Sequence, residues 1–201
     1  MGDPVPLHTT RFLLTAPRAS DAEPIYLACQ DEAIQHFTTV PSPYTREDAE
    51  KFIELTAGWW RDGTSMTWVV RPLDAPEGVI GVIGLDSIAD GAAELGFWAA
   101  PGARGTGAIA EAAAAVLDFA FGPMRLERVQ WQAAVGNSAS ARVAQKLGFR
   151  FEGVRRLGLG GIGAGSGRGR ADGWVAGLLA TDERAAVDWG SADAPAFATA
   201  G

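Results

Sequence analysis

An α/β fold, with strands in mostly antiparallel hairpins and helices packed around them, is what this sequence predicts. Three observations carry it. Runs of β-forming residues recur at short spacing between Thr67 and Ala99, which favours antiparallel neighbours. A long Ala-rich stretch, Ala108 to Phe121, follows the double-glycine segment Arg104-Gly105-Thr106-Gly107. After Gly122-Pro123 the pattern returns to period two, with Val129, Trp131, Ala133 and Val135 as the apolar set.

The elements follow in order. Leu7 to Thr15 reads as a first strand, ending before Pro17. Ser20 or Asp21 opens a helix carrying Ile25, Tyr26 and Cys29, with Pro24 in its first turn, where a missing N–H costs little. Thr45-Arg46-Glu47-Asp48 resembles a capping box with Asp in place of Glu. Phe52, Ile53, Leu55, Trp59 and Trp60 then recur at roughly helical spacing. Strands follow at Thr67–Val70, Val79–Leu85 and Ala93–Ala99, with turn chemistry at residues 74–78 between the first two. Gly96, inside the third, signals a bulge or a close backbone approach. Asn137 is a helix N-cap, and Gly148 suits the C′ position of that helix. Phe149, Phe151 and Val154 begin another strand, and Trp174 to Leu179 is the last. The glycine-rich stretch from Leu157 to Gly173 is expected to be a flexible loop.

At 201 residues, one domain is expected, over residues 1–181, with a flexible tail over 182–201 rich in Ala, Asp, Gly and Pro. The net charge of −7 argues against a nucleic-acid partner and suits a cationic or amine substrate, or simply a solvated acidic surface. Cys29 is the only cysteine, so no intrachain disulfide forms, and a core thiol in a reducing cytoplasm is the expectation. Two separated histidines, His8 and His36, without a cysteine cluster make a metal site unexpected. No basic stretch leading into an apolar run opens the chain, and no apolar run is long enough to span a bilayer. Of the seven tryptophans, Trp59, Trp60, Trp68 and Trp98 are candidates to line a pocket.

The double-glycine segment is the centre of the functional reading. Glycines let a backbone approach a ligand closely, and a helix N-terminus offers unpaired N–H groups and partial positive charge. Arg104 to Ala108 therefore reads as a pyrophosphate cradle. Gly105-Thr106-Gly107-Ala108-Ile109-Ala110 also matches the G-x-G-x-x-G/A dinucleotide fingerprint. That fingerprint requires an early strand of a βαβ unit, whereas this segment follows an antiparallel meander, and Glu127, at about the right distance for the ribose acid, starts the next strand.

Several blocks in order resemble the GNAT N-acetyltransferase superfamily, in particular its RimJ/RimL-like branch. Arg104-Gly105-Thr106-Gly107-Ala108 fits the branch's R-G-x-G-x form, and Glu111-Ala112 stands where Glu-Ala is common. Asn137 to Val143 followed by Lys146-Leu147-Gly148-Phe149 is similar to its N-x-x-S…K-x-G-F segment. Glu94-Leu95-Gly96-Phe97-Trp98 resembles its strand before the cradle, and Trp174 to Leu179 its closing strand. The resemblance spans Leu7 to Thr181.

It implies a mixed, mostly antiparallel central sheet splayed between the Glu94–Ala99 and Glu127–Val135 strands, flanked by helices. It implies acetyl-CoA as co-substrate, with pantetheine on the backbone of Phe97, Trp98 and Ala99, pyrophosphate on Arg104, Gly105, Thr106, Gly107 and Ala108, and Asn137 as a further contact. The reaction implied is direct transfer to a primary amine, either a protein N-terminal α-amine or a small molecule. Ser140 is the implied general acid toward the leaving thiol, against the alternative of a first-turn hydroxyl satisfying helix N–H groups. Glu94 is the candidate base, acting directly or through water, against a plain strand-end carboxylate; Tyr44 and His36 are weaker candidates, and a mechanism without a dedicated base also stands. Phe37, Tyr44, Trp59 and Trp60 form a possible cation-friendly wall or simply helix packing. The Gly158–Gly169 stretch, with Arg155, Arg156, Arg168 and Arg170 around it, departs from the branch pattern and reads as a lid or a tolerant surface loop. A homodimer is implied by resemblance alone. A non-catalytic acyl-CoA sensor and a dinucleotide-binding protein are the competing functions.

Overall fold

The computed structural model describes residues 3–162 and 169–190. Its centre is an eight-stranded sheet ordered β1-β2-β3-β4-β5-β6-β8-β7. The strands are β1 (Leu7–His8), β2 (Phe12–Thr15), β3 (Met66–Pro72), β4 (Gly81–Ala89), β5 (Ala92–Ala99), β6 (Arg128–Ala134), β7 (Arg150–Gly160) and β8 (Arg170–Leu179). Every neighbouring pair is antiparallel except β5 and β6. That exception follows from chain connectivity: helix α4 (Ala108–Phe121) carries the chain back across one face, so β6 starts beside the beginning of β5.

Period-two alternation sorts the strand residues between two cores. Ile83, Leu85, Ala93 and Leu95 join the buried alanines of α4, with Val116 and Leu117, in the larger core. Val69 and Val82 face the other way, onto α1 (Ala22–Ala28), α2 (Glu32–Phe37) and α3 (Arg46–Asp62) through Ile25, Ile34, Tyr44 and Ala49. Small alanines on α4 let its backbone lie close to the sheet, with Gly107 at its N-terminus beside Arg11 and Lys146.

Local signals account for most helix boundaries. Thr45 and Asp48 form the reciprocal capping box at the start of α3, at 3.1 Å for Asp48 N–H to Thr45 Oγ1 and 2.9 Å for the return bond. The Asn137 side chain accepts from the Ser140 N–H at the start of α5 (Ser138–Lys146), and Gly148 adopts φ +89° beyond its end.

Four expectations need correction. The first strand divides into β1 and β2, and α1 is preceded by a 3-10 turn at Ala19–Asp21. No bulge lies at Gly96, which pairs directly with Gly84; the register shift falls between Asp86 and Ala89. Both ends of the expected loop are strand: Leu157 to Gly160 continue β7, and Arg170 to Gly173 begin β8. Arg170 holds that hairpin together through the Leu157 carbonyl at 2.5 Å and the Gly158 carbonyl at 3.0 Å. The segment 163–168, Arg168 included, lies outside the described residues.

Residues 182–190, expected to start a flexible tail, pack onto the domain. Trp189 is 2% exposed, lies 5.5 Å from Trp131 and 5.4 Å from Phe151 between ring centroids, and donates to the Phe149 carbonyl at 2.8 Å. An apolar ring of that size outweighs the local Ala/Asp/Gly composition. Residues 191–201 lie outside the described residues. Among the described residues, no helix is long and apolar enough to cross a membrane.

Candidate active site

The strands β5 and β6 pair over only three positions, Ala92↔Arg128, Ala93↔Val129 and Glu94↔Gln130, and then part. Past Glu94, β5 stays paired to β4 as far as Ala99↔Gly81, so only its β6-facing edge is open. The Ala100 N–H donates to the Ile80 carbonyl at 3.0 Å, which sets the parity of that antiparallel ladder. By alternation, Trp98 directs its backbone groups at β4, while Leu95, Phe97 and Ala99 direct theirs into the gap. Of the three residues expected to hold pantetheine through the backbone, Phe97 and Ala99 thus present the open edge, and Trp98 offers its side chain.

The gap continues into a cavity of about 740 Å³ that takes in Glu94, Trp98, Trp131, Gln132, Asn137 and Ser140. The splay therefore brings Ser140 and Glu94 to one space from different elements. Of the aromatic candidates, Phe37, Tyr44, Trp59 and Trp98 line it. Trp60 and Trp68 are buried in the larger core, 5.0 Å apart and edge-on.

Glu94 is held from β6. Gln132 Nε2 donates to its Oε2 at 2.5 Å, Gln130 Nε2 lies at 3.5 Å, and Arg155 on β7 in turn donates to Gln132 Oε1 at 3.3 Å. Burial pushes the Glu94 carboxyl above its ordinary value, and the neighbouring Asp86 charge adds to that, against the Gln132 bond. A raised carboxyl suits proton transfer near neutrality.

Ser140 is freed from capping duty. Asn137 Oδ1 accepts the Ser140 backbone N–H at 3.2 Å, while Ser140 Oγ accepts from Trp131 Nε1 at 3.0 Å. A hydroxyl whose lone pair is occupied by an indole N–H keeps its proton available to donate. The weaker base candidates fare differently. His36 is exposed and edge-on to Phe37, away from the cavity lining. Burial raises the Tyr44 phenol well above its ordinary value and pushes the adjacent Cys29 thiol up to about 12, so neither ionises near neutrality.

The cradle has the geometry of an anion site. Gly105 and Gly107 take left-handed conformations, φ +73° and +79°, which residues with a Cβ resist. Among the described residues, no hydrogen bond uses the backbone N–H of Gly105, Thr106 or Gly107. The Arg104 N–H is engaged, donating to the Pro101 carbonyl at 3.3 Å, and its guanidinium is tied to Asp31 at 2.5 and 3.2 Å. Arg104 thus anchors the loop to the start of α2, and its hydrogen bonds hold the Asp31 carboxyl below the ordinary range. The Ala108 N–H is 3.3 Å from Thr106 Oγ1.

A Cβ on Gly107 would stand 3.7 Å from Arg11 Nη2 and 4.0 Å from Lys146 Nζ. Lys146 and Arg11 thus flank the open amides, Arg11 being ion-paired to Glu111 at 2.7 Å and donating to the Thr106 carbonyl at 3.3 Å. Neither was legible beforehand: Arg11 precedes β2 and Lys146 ends α5, and only the tertiary fold sets both beside Gly107. Asp86 and Gln132 were missed for the same reason. Their signal was the hairpin register, since Asp86 pairs directly with Glu94.

Comparison with known proteins agrees with this geometry. A family model described as an acetyltransferase (GNAT) domain matches residues 11–150. The Bacillus subtilis protein described as the uncharacterized N-acetyltransferase YoaA is 27% identical over 152 residues, covering 75% of this chain and 85% of its own. Mycobacterium smegmatis RimJ in complex with CoA-disulfide superimposes with a TM-score of 0.76 at 19% identity, over 91% of this chain and 90% of that one. A ribosomal-protein alanine acetyltransferase from Vibrio fischeri gives 0.74 at 18% identity, over 89% and 98%.

Proposed function

This chain belongs to the GNAT acetyltransferase family and is an acetyl-CoA-dependent N-acetyltransferase, and on that premise we propose that it moves an acetyl group directly to a primary amine in the cavity between β5 and β6. One observation carries the reading. A cradle of unpaired amides beside Arg11 and Lys146, an open strand edge, a held carboxylate and a serine hydroxyl fixed by an indole occur in one domain, the cradle in its own hollow and the other three around one cavity. A protein that only senses acyl-CoA needs the first two and has no use for the last two.

The residues divide the work as follows. The Gly105, Thr106 and Gly107 amides at the N-terminus of α4, with Arg11 and Lys146, would hold the pyrophosphate. The β6-facing edge of Leu95, Phe97 and Ala99 would hold pantetheine, and its N–H groups would meet negative charge developing on the acetyl oxygen. Bound acetyl-CoA supplies the thioester that is attacked. Glu94 takes the proton from the acceptor amine, with Gln132 fixing its carboxylate. Ser140 gives its hydroxyl proton to the departing sulfur and takes one back from solvent water, with Trp131 fixing the oxygen it comes from. Asn137 shapes the entrance by ordering the first turn of α5.

The acceptor is a protein N-terminal α-amine or a small-molecule amine. The ribosomal-protein acetyltransferase among the similar structures supports the first. The apolar walls of the cavity admit either. Thermal-shift titrations with acetyl-CoA, CoA and NAD test the cofactor assignment. Stabilisation by the two CoA ligands alone is expected, followed by amine-dependent loss of the thioester. Stabilisation by NAD alone would return the glycines to the dinucleotide fingerprint.

A further inference from the structure

We propose that Asp86 joins Glu94 in a two-carboxylate seat for the acceptor's ammonium group, and that the acceptor is a primary amine carried on an apolar or aromatic body. The inference rests on the acetyltransferase reading and names the substrate class that the site selects.

The seat follows from register. Asp86 and Glu94 are direct partners across the β4–β5 ladder, so both side chains rise from the same face of the sheet. That face carries Val82, Gly84 and Asp86 on β4 and Glu94, Gly96 and Trp98 on β5, and all six line the cavity. Gly84 and Gly96 are themselves opposite one another, leaving a floor without side chains beside the two carboxylates. A Cβ placed on Gly96 would come within 3.3 Å of Asp86 Oδ2, so the Asp86 carboxylate leans over that floor.

Two carboxylates opposed across a ladder repel each other. Among the described residues, neither forms an ion pair with any Arg or Lys of this chain. Arg155 reaches Gln132, and Asp48, farther out on α3, is bound by Thr45 in the capping box. Burial disfavours the charged form of both Asp86 and Glu94, with Ser65 giving Asp86 one opposing hydrogen bond. An ammonium placed between them offsets the repulsion and meets carboxylate oxygens that form no ion pair among the described residues, Arg155 acting on Glu94 only at longer range. Beyond the seat Phe37, Phe52, Leu55 and Trp59 give the cavity an apolar side, which suits an apolar body and whose rings also tolerate a cation, with Asp48 and Lys51 the charged residues of α3 on the same lining.

The test uses the CoA-bound protein, in which no acetyl group can move. Calorimetry compares 2-phenylethylamine with 2-phenylethanol, an isostere without the charge. The wild type should bind the amine at least ~10-fold more tightly, the scale of a charge-assisted contact. Asp86→Asn should abolish that preference while leaving CoA and alcohol affinities unchanged, which a merely structural role would not do. Asp86→Glu, which restores the charge, should restore it. Equal affinities for amine and alcohol in the wild type, or a preference that survives Asp86→Asn, overturns the proposal. Failure of CoA itself to bind would instead strike the acetyltransferase reading on which the seat depends.

Discussion

Removing the Trp189 side chain tests whether the end of the described chain belongs to the domain. The ring is 2% exposed, packs on Trp131 and Phe151, and ties its indole N–H to the Phe149 carbonyl at 2.8 Å. Aromatic-to-alanine truncations at buried sites cost ~3–5 kcal/mol. The orphaned Phe149 carbonyl places Trp189→Ala in the middle of that range or above, at about 4 kcal/mol. A domain with ~5–15 kcal/mol in total retains a folded majority after such a loss. With a urea slope of about 2 kcal/mol/M, the unfolding midpoint should fall by roughly 2 M with the slope unchanged. Trp189→Phe keeps the ring and loses the hydrogen bond, and should cost about 1 kcal/mol. The site is affected as well, because Trp131, the ring that Trp189 supports, is the one that positions Ser140. A midpoint shift under about 0.5 M for Trp189→Ala would refute the docking of this segment.

Further outcomes follow from the site. Gly107→Val should weaken CoA binding at least ~10-fold by calorimetry, since its Cβ enters the space between Arg11 and Lys146 and the left-handed conformation costs ~1–2 kcal/mol; unchanged affinity would remove the cradle from the cofactor path. Ser140→Ala should lower kcat by about 100-fold with the KM for acetyl-CoA little altered, and normal turnover would make the hydroxyl a structural partner of Trp131. Glu94 must be ionised to act as base, and burial raises its pKa, so activity should be full above that raised value and lost as pH falls through it, at a higher pH than for an ordinary carboxyl. Glu94→Gln should erase this acid limb, and an unaltered pH–rate profile would reject the role. On stability the same shift has the opposite sense: it favours the folded state below the ordinary carboxyl value, and that contribution is lost as pH rises through the raised one.

What could be read from the sequence was local. The Thr45–Asp48 capping box, the Asn137 cap, Gly148 beyond its helix and the strand-glycine-helix order around Gly107 each depend on residues a few positions apart, where backbone preference acts directly. So do the period-two strands, whose alternation assigned Val129, Trp131 and Ala133 to the inside, and the ordered blocks that carried the family resemblance. The tertiary structure decided what depends on register and on long loops. Strand pairing set Asp86 opposite Glu94 and Gln132 against it, and it turned the backbone of Trp98 away from the gap while opening that of Phe97 and Ala99. Chain return brought Arg11 and Lys146 to Gly107 from opposite ends of the domain, and Trp189 to Trp131. Gly160 reads as loop because glycine lowers strand preference, yet its pairing with Arg170 across a long hairpin outweighs that preference. A one-residue change of register would reverse which side chains share a face, and no short-range pattern in the chain encodes that pairing.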